Sequence, residues 1–244
     1  MRYAGASELA FQLTASLGSI IMKAMNTFKE CFDAILRGNK ENSRLAARRV
    51  RKLLYSGERF GKDKFIEIKN LIQDAPVEYA KIPEDWRQEN FVLAVSVIYY
   101  LHDREDQPDF LFPWLFELLQ HEDGNIRHAA VKMFSIEIGP LTVHIRFPED
   151  TSILGDRLKP AQADAILLSL FVGLHEHMAA AWKPAYKKYK YISSLPSNPY
   201  KSGQLILARF EELCGRSWVE RFIEQSHSRV FNPSSDAFLT RVAG

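Results

Sequence analysis

The chain has 244 residues, with 32 Lys and Arg against 30 Asp and Glu, a net charge of +2, 46% hydrophobic residues and two cysteines. That balance belongs to an ordinary soluble globular chain, long enough to bury a real core as one large domain or two small ones, and it excludes global disorder. Two cysteines exclude a disulfide framework and a four-thiolate zinc site, and the longest apolar run, 91–101 broken by Ser96, falls well short of the ~20 residues of a membrane helix.

Periodicity predicts helices along nearly the whole chain. The first stretch, Ser7 to about Leu36, reads as one long helix or two shorter ones, with Ser7 as N-cap and Gly38 as the stop. Its apolar part, 9–22, is interrupted by Gln12, Thr14, Ser16 and Ser19, so it lacks the clean centre of a secretory signal. A cytoplasmic protein with no membrane segment is expected, with Cys31 and Cys214 reduced and structural.

Asn42–Tyr55 is the next helix, with Leu45, Ala46, Val50, Leu53 and Leu54 on its apolar side. Gly57 and Gly61 bracket a turn, and Asp63–Gln73 follows as a helix. Asp74–Ile82 reads as a loop, after which Pro83 opens a helix from Glu84 to about Leu101. Pro113–Gln120 and Asn125–Ile138 form a pair around the turn His121-Glu122-Asp123-Gly124. From Gly139 to Lys159 the helical pattern stops, and Leu141–Phe147 alternates weakly, as an extended segment would. Pro160 opens a helix to about Trp182. Lys183–Gly203 reads as loop, followed by helices at about Gln204–Cys214 and Trp218–Ser226 and an irregular last dozen residues.

One segment carries a specific pattern. Leu111-Phe112-Pro113-Trp114-Leu115-Phe116-Glu117-Leu118-Leu119 leads through Asp123 into Ile126-Arg127-His128-Ala129-Ala130. This resembles a HEAT repeat, in which a Pro/Leu-rich first helix turns through an Asp into a second helix that begins with an aliphatic-Arg pair and carries Ala three residues later. The resemblance implies that Asp123 and Arg127 are structural residues, bonding along a stack of helix pairs. Weaker copies lie at 28–54, with Arg44 and Ala47 in the Arg and Ala places, and at 65–101, where Ala94 fits but Phe91 replaces the Arg. Arg44 precedes Arg127 by 83 residues, close to two of the family's ~40-residue periods. The expected architecture is therefore all-α: a right-handed α-α superhelix of about four antiparallel pairs in a single domain, 1–244, with HEAT-like repeats over 26–138 and a divergent or capping part over 139–244.

The small net charge hides a segregation. Residues 37–69 hold eleven basic and four acidic residues, 74–123 hold three and twelve, and 177–210 hold six and none. On stacked repeats such blocks become surface patches. Arg44, Arg48 and Arg51 share one helix face at i, i+4 and i+7, flanked by Arg49 and Lys52. The second basic stretch interleaves Lys187, Lys188 and Lys190 with Tyr189 and Tyr191; lysines neutralise phosphates and tyrosine rings stack on unpaired bases.

Catalytic signatures are scarce. His175 and His177, at i and i+2, point about 200° apart on a helix and do not share a metal as an i, i+4 pair does. Among HEAT-like enzymes, deoxyhypusine hydroxylase binds iron through His-Glu pairs; here His121-Glu122 falls in a turn, so no metal ligand or cofactor is assigned. HEAT-like alkylpurine DNA glycosylases suggest a second possibility, with no catalytic residue to carry over. There is no P-loop, nucleophile elbow or Rossmann glycine pattern. The resulting expectation is a non-enzymatic scaffold whose concave face binds a protein or peptide through Arg44, Arg48, Arg51 and Lys52, with Lys187, Lys188, Tyr189 and Lys190 second. The alternative is a nucleic-acid-binding HEAT-like protein, with a glycosylase-like DNA-repair enzyme as its catalytic form.

Overall fold

Helix ends follow the local punctuation. In the computed structural model, which describes residues 25–55, 62–101, 111–149 and 158–230, α1 (Phe28–Arg37) opens on a capping box. Thr27 Oγ1 accepts from the Glu30 N–H, and Glu30 Oε2 accepts from the N–H groups of Asn26 and Thr27. Those two backbone donors, Asn26 first, hold the Glu30 carboxyl below the usual carboxylate range. Gly38 caps the other end of α1, and Asn39 caps α2 (Lys40–Leu54) by accepting from the Asn42 N–H at 2.9 Å. Then follow α3 (Lys62–Gln73), α4 (Ala75–Tyr79), α5 (Asp85–Ile98) with a 3-10 turn over Tyr99–Leu101, α6 (Phe112–Gln120), α7 (Gly124–Leu141), α8 (Val143–Arg146), α9 (Pro160–Ala181), α10 (Pro199–Cys214) and α11 (Arg216–Val230). Every regular element among the described residues is helical.

Three segments differ from the sequence reading. Asp74–Ile82 contains α4, started by Pro76 in its first turn. Leu141–Phe147 is helical, because α7 runs through Gly139 and Pro140 and α8 continues it. The carbonyls that this proline-bearing end leaves exposed find side-chain donors: the Thr142 hydroxyl donates to the Ile138 carbonyl at 2.8 Å, and Arg146 Nη2 to the Gly139 carbonyl at 2.8 Å. Finally, α10 begins at Pro199, capped by Asn198, which accepts from the Lys201 N–H at 3.0 Å. It ends at Gly215, whose φ of 76° is the left-handed region that favours glycine. The expected helix before residue 25, the Gly57–Gly61 turn and the irregular C-terminal residues lie outside the described residues.

The helices pack in chain order. α1 packs on α2, α2 on α5, α5 on α7 and α7 on α10; α6 lies on α7, and α9 and α11 on α10. One continuous apolar cluster runs from Met25 to Phe222. Aromatic edges stitch neighbours together: Phe32 of α1 meets Phe91 of α5 at 5.7 Å, and Phe171 of α9 meets Phe210 of α10 at 5.6 Å. Gly173 of α9 lies so close to α6 that an added Cβ would stand 2.9 Å from Phe116 Cζ. A buried polar contact joins α2 to α5, where Asn90 Nδ2 donates to Ser43 Oγ at 3.1 Å.

Two arginines tie helix ends and turns to neighbouring segments. Arg127 is buried, and its Nη1 donates to the carbonyls of His121 and Glu122, both at 2.6 Å, while Nη2 reaches the Ser197 carbonyl at 3.3 Å. Asp123 caps the same helix, accepting from Asn125 and Ile126. Arg87 of α5 donates through Nη1 to the carbonyls of Ile35 and Leu36 in the last turn of α1. Arg87 thereby satisfies carbonyls in the last turn of α1, where a positive charge also complements the helix dipole, and Arg127 satisfies carbonyls of the turn after α6 and of the segment before α10. Arg44 does not share this role: it is exposed and pairs with Glu41 at 2.7 Å.

Candidate interaction surface

The arginines singled out on α2 stand on its outer side. Arg44, Arg48, Arg51 and Lys52 are all exposed. Arg44 is engaged with Glu41, whereas Arg48, Arg51 and Lys52 form no ion pair among the described residues. Arg49 turns the other way, its Nε donating to the Met25 carbonyl at 3.0 Å, and belongs to the scaffold.

What lies beside this stripe was not visible in the sequence. α5 sits next to α2, and α7 next to α5. Glu89 of α5 accepts from Asn125 Nδ2 of α7 at 2.7 Å, and Asn90, the next residue, reaches Ser43 of α2. At about 100° per residue, Leu93 and Val97 fall angularly between Glu89 and Asn90. They thus face the space between α2 and α7. Both are only partly buried. Trp86 precedes them on the same stripe and Tyr100 follows, 42% exposed. On α7, Lys132 stands two turns beyond Asn125 on the same side and is exposed. Partial burial lowers the Lys132 ammonium from its ordinary value, and the Arg51 charge adds to that. Burial, and then the neighbouring Tyr55, likewise raises the Tyr100 hydroxyl. The arrangement is an apolar floor on α5 between cationic edges on α2 and α7.

The Lys/Tyr stretch is a separate feature. It forms a 3-10 turn, Pro184–Lys188, between α9 and α10. Tyr186 is buried against Trp182 at 5.7 Å and Tyr200 at 5.5 Å, and Trp182 meets Tyr200 at 5.1 Å. This aromatic knot anchors the loop and leaves Lys187, Lys188 and Lys190 exposed, with Lys188 over the Tyr189 ring and Lys190 over Tyr191. Of the tyrosines, then, only Tyr189 and Tyr191 are placed for stacking on a ligand. In packing order α5, α7 and α10 stand between this loop and α2.

Titratable residues elsewhere serve the fold. His177 is buried and bonds the Pro199 carbonyl at 3.0 Å, whereas His175 bonds the Phe171 carbonyl of its own helix at 2.8 Å. His121 Nδ1 accepts from the Asp123 N–H at 2.9 Å and holds the turn before α7. His144 pairs with Asp164 at 2.8 Å, edge-on to Trp218. Among the described residues no group of three or more His, Cys, Asp or Glu is placed to hold a metal ion, and no helix is long and apolar enough to cross a membrane. The acidic residues Asp103, Glu105, Asp106 and Asp109 lie outside the described residues.

Both cysteines are free and buried. Burial pushes their thiols from the ordinary 9.0 up to about 12, with smaller contributions around Cys31 from Arg49, Glu30 and Glu67 and around Cys214 from Asp164 and Arg146. Neither is a thiolate nucleophile near neutral pH. The linkage has a definite sign. In the unfolded chain the thiols ionise above about 9 while the folded protein holds its protons, so their contribution to stability is complete below that pH and is lost as the pH rises towards 12. The urea midpoint should fall across this window, and replacing both cysteines with alanine should flatten the fall, whatever it does to the midpoint at neutral pH. An identical slope in the alanine variant would contradict the assignment.

No protein-family model, curated protein or solved structure matches the chain.

Proposed function

We propose that this chain is a non-enzymatic interaction scaffold of the HEAT-like type, a superhelix of stacked helix pairs that binds a protein or peptide partner on the face formed by α2, α5 and α7. The observation that carries the reading is that face: a partly exposed apolar stripe on α5 between cations on its two neighbours that form no ion pair among the described residues. The packing order of α2, α5, α7 and α10 supports the repeat reading, as does the parallel use of Arg87 and Arg127 at successive junctions. Two buried free thiols suit a reducing compartment, and the reading includes a cytoplasmic location.

The second reading, a nucleic-acid-binding protein with a glycosylase-like enzyme as its catalytic form, rests on the exposed Lys187, Lys188 and Lys190 with Tyr189 and Tyr191 between and beside them. It requires binding that weakens steeply with salt. Affinity capture from nuclease-treated and untreated cell extract separates the two. Under the scaffold reading, the wild-type chain retains proteins after nuclease treatment, and Arg48→Glu with Arg51→Glu releases them. Retention of nucleic acid that is lost on Lys187→Glu with Lys190→Glu supports the second reading. Retained proteins indifferent to the α2 change would remove this face from consideration.

A further inference from the structure

The face just described also constrains what occupies it; the following rests on the scaffold reading. We infer that its partner is an amphipathic helix with a narrow apolar stripe bordered on both sides by carboxylates. The floor is Trp86, Leu93, Val97 and Tyr100, a single stripe along α5 and its 3-10 extension. From the first to the last of these the rise is about 21 Å, some four helical turns. The edges are Arg48 and Arg51 on α2 and Lys132 on α7, all exposed and none in an ion pair among the described residues.

Width and chemistry select the occupant. Two helices that flank a third at the usual 8–10 Å stand roughly 16–20 Å apart. A helix with its side chains is about 10–12 Å across, so one fits over the floor and leaves room at each side for a long Arg or Lys. An extended strand gains nothing here, because the floor is a helix whose backbone groups are bonded internally and it offers no edge to extend. A nucleic acid would lay its phosphates along the cations, but leucine and valine between them offer neither charge nor a stacking plane. A helix matches both parts. Its apolar residues at i, i+3 or i+4, and i+7 cover Leu93 and Val97, and flanking Glu or Asp residues meet cations on either side.

The charge also sets a register. At the end nearer the start of α2 and α7, Arg44 is already paired with Glu41, and Glu89, bonded to the neutral Asn125 amide, keeps its own negative charge. Among the described residues, the cations that form no ion pair lie further along, at Arg48, Arg51, Lys52 and Lys132. The partner's carboxylates are therefore concentrated at one end of its stripe.

The test uses the full chain and a fluorescein-labelled helical peptide of about 20 residues, with a leucine stripe flanked by glutamates. Gln-flanked, Lys-flanked and stripe-scrambled versions accompany it, and binding is read by fluorescence anisotropy. The Glu-flanked peptide should bind, and its Kd should rise about tenfold or more when salt is raised from about 0.05 to 0.3 M or when Arg48→Glu and Lys132→Glu are combined. The Lys-flanked peptide should gain affinity for that double variant, which also shows that the variant is folded. Lys187→Glu with Lys190→Glu should leave the Kd unchanged. Absence of binding, equal binding of the Glu- and Gln-flanked or scrambled peptides, or indifference to the Arg48/Lys132 change would overturn the inference. The two proposals fail separately. Extract proteins that depend on Arg48 and Arg51 but are not displaced by the Glu-flanked peptide leave the scaffold standing and remove the helix.

Discussion

Replacing Arg127 with methionine should cost this protein about 2–4 kcal/mol of stability, because a buried hub of charge-assisted hydrogen bonds is lost while only the stem of the side chain is kept. Three carbonyls depend on that guanidinium: His121 and Glu122 at 2.6 Å and Ser197 at 3.3 Å. Methionine leaves them without this donor at the junction of the α6–α7 turn with the segment before α10. Lysine should recover only part of the loss, since one ammonium on a flexible stem does not reproduce a planar fork that spans two elements. The measurement is a urea titration read by circular dichroism, with limited proteolysis around Ser197 as a local readout. The control is Arg44→Met. Arg44 occupies the equivalent place in the proposed repeat pattern, but it is an exposed residue paired with Glu41, and surface pairs of this kind contribute little. Its loss should leave the urea midpoint where it was. Equal effects at the two positions would show that the burial of Arg127 does not matter.

The contrast between these arginines marks how far the sequence could be read. Helix ends were legible where one residue does the work: Gly38 stops α1, and Asp123 and the residues after it start α7. That Arg127 is structural was expected from the resemblance, which also had Asp123 bonding along a stack where it caps its own helix; the shared face of α2 was legible from spacing alone. Arg87 was missed because its place was sought by register with the alanines, at Phe91. An arginine side chain is long enough to reach the end of α1 from a full turn earlier. The start of α10 was missed although Asn198-Pro199 is a good cap-and-first-turn pair; the prolines upstream and Gly203 outweighed it. The run through Pro140 depends on donors from Thr142 and Arg146, which no periodicity reports. The other half of the candidate surface was hidden for a different reason. Leu93, Val97 and Lys132 look like ordinary members of amphipathic helices until α2, α5 and α7 are known to lie side by side, and adjacency of that kind is a tertiary fact.

The same dependence on neighbours makes Phe134 a core position where a truncation should cost several kcal/mol. It is fully buried on α7, and two rings of α6 rest on it, Phe112 at 5.5 Å and Phe116 at 5.0 Å between centroids. Phe116 in turn lies against Gly173 of α9, where an added Cβ would meet its Cζ at 2.9 Å. Removing the Phe134 ring therefore leaves a void under a contact that α6 shares with both α7 and α9. α6 is only nine residues long, so it owes its position to this packing rather than to its own helical stability. Phe134→Ala should lower the unfolding free energy by about 3–5 kcal/mol, the transfer of the ring plus the cavity. Phe134→Leu, which refills most of the space, should cost about 1–2 kcal/mol. The check is a urea titration in which the midpoint moves while the slope stays constant, since a changed slope would mean that the unfolding reaction itself had changed. If α6 instead collapses into the space, the alanine variant should lose no more than the leucine variant. If it stays in place, the cavity is dry and apolar, and saturating benzene should raise the midpoint of Phe134→Ala while leaving the wild-type chain unaffected.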